Sequence, residues 1–594
     1  MRKYFNKIAI AVILFFLIFC MYLRAENLTL CYHQFDNSLD ELYSVLPDVF
    51  EWQIDYIKET GIPIVRLSDF SDNPQKYTSL GNKNILLTVD DGKKNTINIL
   101  PFIKGSQVPI SLFLSPGLLN KTNEYMTFQD IAEFQKLYWV DFGSHGYTHP
   151  LLTRLDEKSL NQEIAVSRHE LEKLVDRKIE TFAYPFGMFD NRSKNIAEKN
   201  YKLAFGVMDG TNKETTDRYN LKRYVIYRNT TFGEFIHIIN QINKNSSGRN
   251  YEVKNLGLER GPAKYFVFYK TRLFKFPQEE KEKTLIVVPS SHIGAGWIYR
   301  SIENALKSGF QSYVIVNRNN NIPFYRPDKE MKTIQSWGLN TYVADFKETL
   351  DSIAEKNKKA VILTWNDGFD LVLELLKKDT GYRNLVKGII VVNPSVIGID
   401  DARHIKQNIK YYDRLLKAGE YATEDLKFFL KIKTLCDLAV LKPTEKSPFS
   451  QGLGYSSMSN KELLSKVFDD SDHPDLSLDS AGKEYSMNDF NQAFMQPLPL
   501  FSMVVPLSYL KDINELHRSD TYSGNADKLA PLPIFYVYSS AYRRNVEKFK
   551  TTFANAKEQK EYYFDDISTI EIMLSGKFSR IVTDNALRML SDKK

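Results

Sequence analysis

Short apolar runs alternate with amphipathic stretches along most of the chain. Leu28–Cys31, Ile85–Thr88, Ile110–Leu114, Val140–Phe142, Thr181–Ala183, Leu203–Val207 and Tyr224–Tyr227 have the length and composition of strands. Helical periodicity fills the gaps between them. One helix is expected over Asp48–Glu59, stopping at Gly61, and another over Phe232–Ile242. A third, Glu157–Val175, would place Leu160, Ile164, Leu171 and Leu174 on one face. Such alternation predicts a parallel sheet or barrel.

The pattern breaks at Asn243–Gly248, and the charged stretch to about Lys283, with an aromatic piece at Tyr265–Tyr269, reads as a connector or an edge element. A second α/β pattern then begins. Its expected strands are Leu285–Val288, Ser312–Val316, Ala360–Thr364, Gly388–Val392 and Ile534–Tyr538. Between about Asp400 and Ala530 the sequence turns helical and then loop-rich, as a large insertion would. The expected organisation is a terminal segment 1–25, a first domain 26–245, a connector 246–283 and a second domain 284–594.

The first residues carry a further signal. Arg2, Lys3 and Lys7 precede an apolar run from Ile8 to Leu23, and the chain turns polar at Arg24. This is the layout of an export signal, with cleavage near Ala25. The run is shorter than the roughly 20 residues of a comfortable membrane span. An uncleaved anchor is the alternative and would hold the protein at a membrane. Cys20 follows Leu17 as in a lipoprotein signal, although Phe19 stands where a small residue is normal.

Composition adds limits. At 594 residues, with 43% hydrophobic and 26% charged residues, the chain is globular and too long for one ordinary core. A net charge of +6, with no Lys/Arg run interleaved with aromatics, gives no basis for nucleic-acid binding. The cysteines are Cys20, Cys31 and Cys436, too few and too dispersed for a disulfide framework or a thiolate metal site. A bound metal must therefore use His, Asp and Glu.

Polar residues gather where the first-domain strands end. Tyr32-His33, Asp90-Asp91-Gly92, His145-Gly146-Tyr147-Thr148-His149 and Tyr184-Pro185-Phe186-Gly187 each follow a strand. In a (β/α) barrel that face carries the active site. Taken singly, Asp-Asp-Gly is ordinarily a turn and His-x-x-x-His is often a surface pair. Together, Asp91, His145 and His149 form a two-histidine, one-carboxylate set that leaves positions open for water and substrate.

Thr88–Gly92, Ser144–Pro150 and Phe182–Gly187 resemble, in order and spacing, three motifs of the NodB-homology polysaccharide deacetylases, carbohydrate esterase family 4. Val89 replaces the usual Phe of the first motif. The resemblance covers about Asn27 to Asn243. It implies a distorted (β/α) barrel and metal-dependent release of acetate from an N-acetylglucosamine-containing polysaccharide. Asp91, His145 and His149 would bind a divalent metal, commonly Zn2+, and Asp90 would act as general base. A backbone N–H at Phe186 would meet the oxyanion, while Tyr184, Pro185 and Phe186 would wall the sugar groove. Two departures stand out. Ala183 occupies the place of the family's base-orienting Arg, for which Arg223, just before the last strand and counted among the substrate-binding residues, is the candidate substitute. No His follows the last strand, and His237 lies within a predicted helix. In the poly-N-acetylglucosamine deacetylase subgroup an early Tyr-His motif takes the acid role. Cys31–Phe35 resembles it, which makes His33 the general acid, with a buried core histidine as the alternative.

The second domain resembles an α/β-hydrolase in layout. Strand Ala360–Thr364, Trp365-Asn366-Asp367-Gly368 and helix Phe369–Lys377 make a strand–turn–helix elbow. Asn366 holds the nucleophile position and cannot serve as one. His517 lies in the insertion, and no His follows the final strand. A non-catalytic role is expected for this half, such as glycan binding or docking to exopolysaccharide synthesis or export machinery. For the whole chain the alternative to a deacetylase is a glycan-binding scaffold.

Overall fold

The structure, a computed structural model, describes residues 26–39, 41–78, 82–243, 251–260, 267–277, 279–318, 335–354, 359–394, 424–469, 507–518, 532–565 and 569–591. Isolated positions between 407 and 417 and between 492 and 498 are also described. The expected export segment, Cys20 included, lies outside the described residues. Among the described residues no helix is long and apolar enough to cross a membrane. The chain divides into two compact units near residue 247.

The first unit is built on strands β1 (Glu26–Tyr32), β2 (Lys83–Val89), β3 (Ile110–Leu114), β4 (Val140–Ser144), β5 (Thr181–Ala183), β6 (Leu203–Phe205) and β7 (Tyr224–Val225). They lie in the order β6-β5-β4-β3-β2-β1-β7, all parallel. β1, β3 and β4 are buried at every position, as expected of strands covered on both faces. The segment before β7 closes the sheet. Leu221 bonds to Ala204 and Gly206 beside β6, while Tyr224 and Val225 pair with Leu30 and Cys31 of β1. The result is a distorted barrel whose closing strand is short and irregular.

Leu86, Phe113, Phe205 and Leu221 fill its interior. A Cβ at Gly143 would meet the Phe113 ring at 2.3 Å, so only glycine admits that ring. Helix α1 (Pro47–Glu59) starts with Pro at its first turn and buries Val49, Phe50, Ile54 and Ile57. The expected helix 157–175 is interrupted: Glu157–Asn161 and Ser167–Val175 are α-helical, and Gln162–Val166 forms a π-helical turn. Val175 is buried and Leu174 only half so, a change of register against simple periodicity.

The second unit holds strands β8 (Glu252–Arg260), β9 (Val267–Phe276), β10 (Lys283–Val288), β11 (Phe310–Val316), β12 (Ala360–Trp365), β13 (Val386–Val392), β14 (Pro533–Ser539) and β15 (Glu558–Phe564). Their order is β8-β9-β11-β10-β12-β13-β14-β15, and only β9 runs against its neighbours. This is the α/β-hydrolase arrangement. Helices Glu424–Leu441, Asn460–Asp469 and Leu507–Arg518 lie between β13 and β14, where the insertion was expected. Of the two readings of 246–283, connector and edge element, the second holds: the stretch supplies β8 and β9 at one edge of the sheet. Its apolar residues Leu256, Leu273, Phe274 and Phe276 are buried, while Lys275 pairs with Glu280 at 2.8 Å.

Candidate active site

The Asp90-Asp91-Gly92 turn leaves the end of β2 through two left-handed residues, Asp91 (φ 75°) and Gly92 (φ 72°). A Cβ at Gly92 would press on Leu114 at 3.0 Å and Leu119 at 3.2 Å. The tight turn gives the two carboxylates different main partners, with His145 Nε2 also 3.7 Å from Asp90 Oδ2. Asp90 is 1% exposed and receives both arms of the fully buried Arg223: Nη1 to Oδ1 and Nη2 to Oδ2, each at 2.8 Å. Arg223 also donates Nε–H to the Gly206 carbonyl at 2.8 Å and Nη1–H to Thr88 Oγ1 at 3.2 Å. A planar fork matched to a carboxylate fixes orientation as well as charge. Burial by itself would raise the Asp90 carboxyl, but Arg223 and then His145 outweigh it and hold it below the ordinary carboxylate value.

Asp91 turns to the histidines. Its Oδ1 lies 3.4 Å from His145 Nε2 and 3.3 Å from His149 Nε2, and the ligand atoms of all three lie within 4.8 Å of one another. Ligands about 2.0–2.2 Å from one tetrahedral zinc stand about 3.4 Å apart, so the set fits such an ion. His145 donates Nδ1–H to the Ala183 carbonyl at 2.7 Å, which leaves the Nε2 lone pair facing Asp91. Burial opposes ionisation of Asp91, yet contacts with His145 and His149 hold it well below the carboxylate range.

The loop carrying both histidines is bent by Gly146 (φ 80°) and His149 (φ 58°). Ser115 donates to the His145 carbonyl at 2.9 Å, and Gly117 N–H to the Tyr147 carbonyl at 2.8 Å. Phe186, also left-handed (φ 63°), sets its ring 4.4 Å from that of His149. Left-handed backbone at three non-glycine residues of one site costs energy that the surroundings must offset. Around Asp90, Cys31 and His33 bring ligand-type atoms within 4.8 Å of one another and of its carboxylate. His33 packs on Tyr43 at 5.0 Å, and its buried Nδ1 has no hydrogen-bond partner. Burial lowers the His33 pKa, against the opposite pull of Asp91 and Asp90.

Residues 78–203 match the family model for polysaccharide deacetylase. The first unit carries a polysaccharide deacetylase domain. It is a hydrolase domain, acting on N-acetyl amide bonds. The matched residues include Asp90, Asp91, His145 and His149, whereas His33 and Arg223 fall outside them. Among solved structures, the Streptococcus pyogenes deacetylase PplD in complex with acetate is 20% identical, with TM-score 0.34, over 37% of this chain and 99% of that one. IcaB from Ammonifex degensii is 20% identical, with TM-score 0.34, over 37% of this chain and 97% of that one. A carboxylesterase of the thaumarchaeon Nitrososphaera gargenis is 10% identical, with TM-score 0.35, over 57% of this chain and 100% of that one. Among curated proteins none matches the chain.

Within the deacetylase domain the expected groove residues separate. Tyr184 is fully buried, stacked on Phe189 at 4.3 Å with its hydroxyl on the Tyr219 carbonyl at 3.1 Å. Pro185 is buried against the Gly146 turn. Neither walls a groove, because both hold the 184–187 turn against the core. Phe186 alone of the three stays partly exposed. Arg223 is likewise not a groove residue: both its arms are spent on Asp90. His237 lies on helix Phe232–Ile239, 3.0 Å from Gln241 Nε2. Sequence reasoning missed Glu163, whose buried carboxylate accepts from the Tyr147 and Thr148 N–H groups at 2.6 and 2.8 Å.

The second unit has the elbow geometry with an asparagine, Asn366, at the nucleophile position. Asn366 is left-handed (φ 45°) between β12 and helix Gly368–Lys378. A Cβ at Gly368 would meet Thr364 Oγ1 at 2.7 Å and the Pro289 carbonyl at 2.8 Å, so the helix packs on the strand only through glycine. In a working hydrolase an N–H from the loop after the third strand receives the oxyanion. Here that loop's Ser291 N–H points to Asp367, 3.1 and 3.2 Å from its two oxygens.

Proposed function

We propose that the first unit removes N-acetyl groups from an N-acetylglucosamine-containing polysaccharide with the help of a divalent metal. The observation that carries this reading is the Asp91–His145–His149 set, spaced for one ion beside a second carboxylate held separately by Arg223. Held by those three side chains, a zinc-type ion would polarise the acetamide carbonyl and acidify a water. Asp90 takes the proton of the attacking water. Arg223 keeps that carboxylate ionised and aimed, which a base needs before substrate arrives. The backbone N–H of Phe186 meets charge developing on the acetyl oxygen. His33 delivers a proton to the departing sugar amine. The products are a free amine on the polymer and acetate.

The early Tyr32-His33 pair, resembling that of poly-N-acetylglucosamine deacetylases, supports the choice of polymer. The basic and apolar N-terminal segment supports export, with action in the periplasm or at the cell surface beside synthesis or export machinery. We read the second unit as a non-catalytic hydrolase fold, because Asn366 replaces the nucleophile and no His follows β15.

The test is acetate release from defined N-acetylglucosamine oligomers and peptidoglycan fragments, with and without chelator. Asp90→Asn and His145→Ala should each lower kcat by at least about 100-fold. Unchanged release in both overturns the reading and favours a binding scaffold. His33→Asn should lower kcat by about 100-fold or more without weakening metal uptake. Full activity in that variant removes His33 from the acid role.

A further inference from the structure

The two histidines of the proposed metal site sit on the loop after β4, whose start is tied to β3 by His145 N–H on the Leu114 carbonyl at 2.9 Å. The middle of the loop is fixed from behind by one side chain. Glu163 is 6% exposed. Its Oε2 accepts from the backbone N–H groups of Tyr147 at 2.6 Å and Thr148 at 2.8 Å, and its Oε1 accepts from Thr148 Oγ1 at 2.6 Å. Gly146 lies at φ 80°, where an L side chain is strained, and a Cβ there would crowd Oε2 at 3.1 Å.

Glu163 reaches this place because Gln162–Val166 is a π-helical turn. The wider turn adds a residue and re-aims the side chains on either side of it, a distortion frequent at functional sites. No ion pair to Glu163 exists among the described residues. A buried carboxylate in that condition must be satisfied by hydrogen-bond donors, and here the donors named all belong to the ligand loop.

We infer that Glu163 is the positioning residue of the metal site: it holds Tyr147 and Thr148 so that His145 and His149 converge on Asp91. This rests on the metal-binding reading above. The dependence is reciprocal. Removing the carboxylate takes the acceptor from two backbone donors, and the left-handed backbone of His149 loses part of what holds it.

The experiment uses the full chain, stripped with chelator and titrated separately with zinc and with cobalt at a temperature well below unfolding. Glu163→Ala should weaken zinc binding about 10- to 100-fold, the range found when a partner of a metal ligand is removed. It should also alter the visible absorption of the cobalt form, because the spectrum reports ligand number and geometry. Glu163→Gln keeps an oxygen for the two N–H groups and should recover most of the affinity and the spectrum. Thr148→Val breaks only the Oε1 contact and should shift both readouts in the same direction by less. This variant keeps the test open should Glu163→Ala fail to fold. Wild-type affinity and an unchanged cobalt spectrum in folded Glu163→Ala, or in Thr148→Val if it alone folds, overturn the inference, even if the unfolding temperature falls. Wild-type protein that binds neither ion overturns the metal reading itself.

Discussion

With both arms on Asp90 and its charge 5.8 Å from the Phe113 and Phe205 ring centres, Arg223 is removed from water altogether. Neither member of such a pair can be deleted cheaply. Arg223→Met should cost about 3–5 kcal/mol in urea unfolding, since it strands a buried carboxylate. Arg223→Lys should also lose activity, because a single ammonium cannot match both oxygens. The pair has a pH signature in chelator-treated protein. The native Asp90 value lies below the ordinary one, so the unfolded chain takes up the proton first as pH falls. The stabilisation is complete above about 3.9 and drains away as pH falls through the lower native value. Urea midpoints measured from pH 5 to 2 should fall more steeply for wild type than for Arg223→Met. Residues of this kind were unequally legible. Asp91, His145 and His149 announced themselves by spacing after strands. Glu163 could not, because a π-helical turn is invisible to periodicity. Tyr184 misled because its place beside Phe186 hides the fact that the turn buries it.

At the level of elements, the central strands were readable because burial on both faces makes them continuous apolar runs. The outer strands were not. β9 and β15 mix charge with aromatics, and β8 mixes charge with aliphatic residues, as edge and near-edge strands do, so none of the three showed the apolar run of a central strand. The elbow after β12 was readable from Trp365-Asn366-Asp367-Gly368 alone, since its shape needs glycine at 368. What the sequence could not show is that the Asp367 carboxylate turns back onto the Ser291 N–H. Replacing the missing nucleophile should therefore not revive the site. Asn366→Ser is expected to remain unlabelled by a fluorophosphonate serine-hydrolase probe at wild-type stability. Stoichiometric labelling would show that a base and an oxyanion site survive.

Taken as a whole molecule, the chain pairs a barrel that has the ligands for an ion with a larger sheet whose described strands and elbow offer no comparable cluster. Binding energy should be deposited in one unit only. At free zinc about 100-fold above the dissociation constant, the stabilisation is about 2.7 kcal/mol. For a unit of this size that raises one unfolding transition by roughly 5–10 °C. Calorimetry with zinc and with chelator should move that transition and leave the other in place; two shifted transitions would contradict a single metal site. The filled oxyanion position of the elbow has a practical corollary for anyone working at the bench. If the larger unit is non-catalytic as proposed, a chromogenic acetyl ester turned over by the intact chain reports on the barrel alone, and the His145→Ala chain should leave no background to be subtracted.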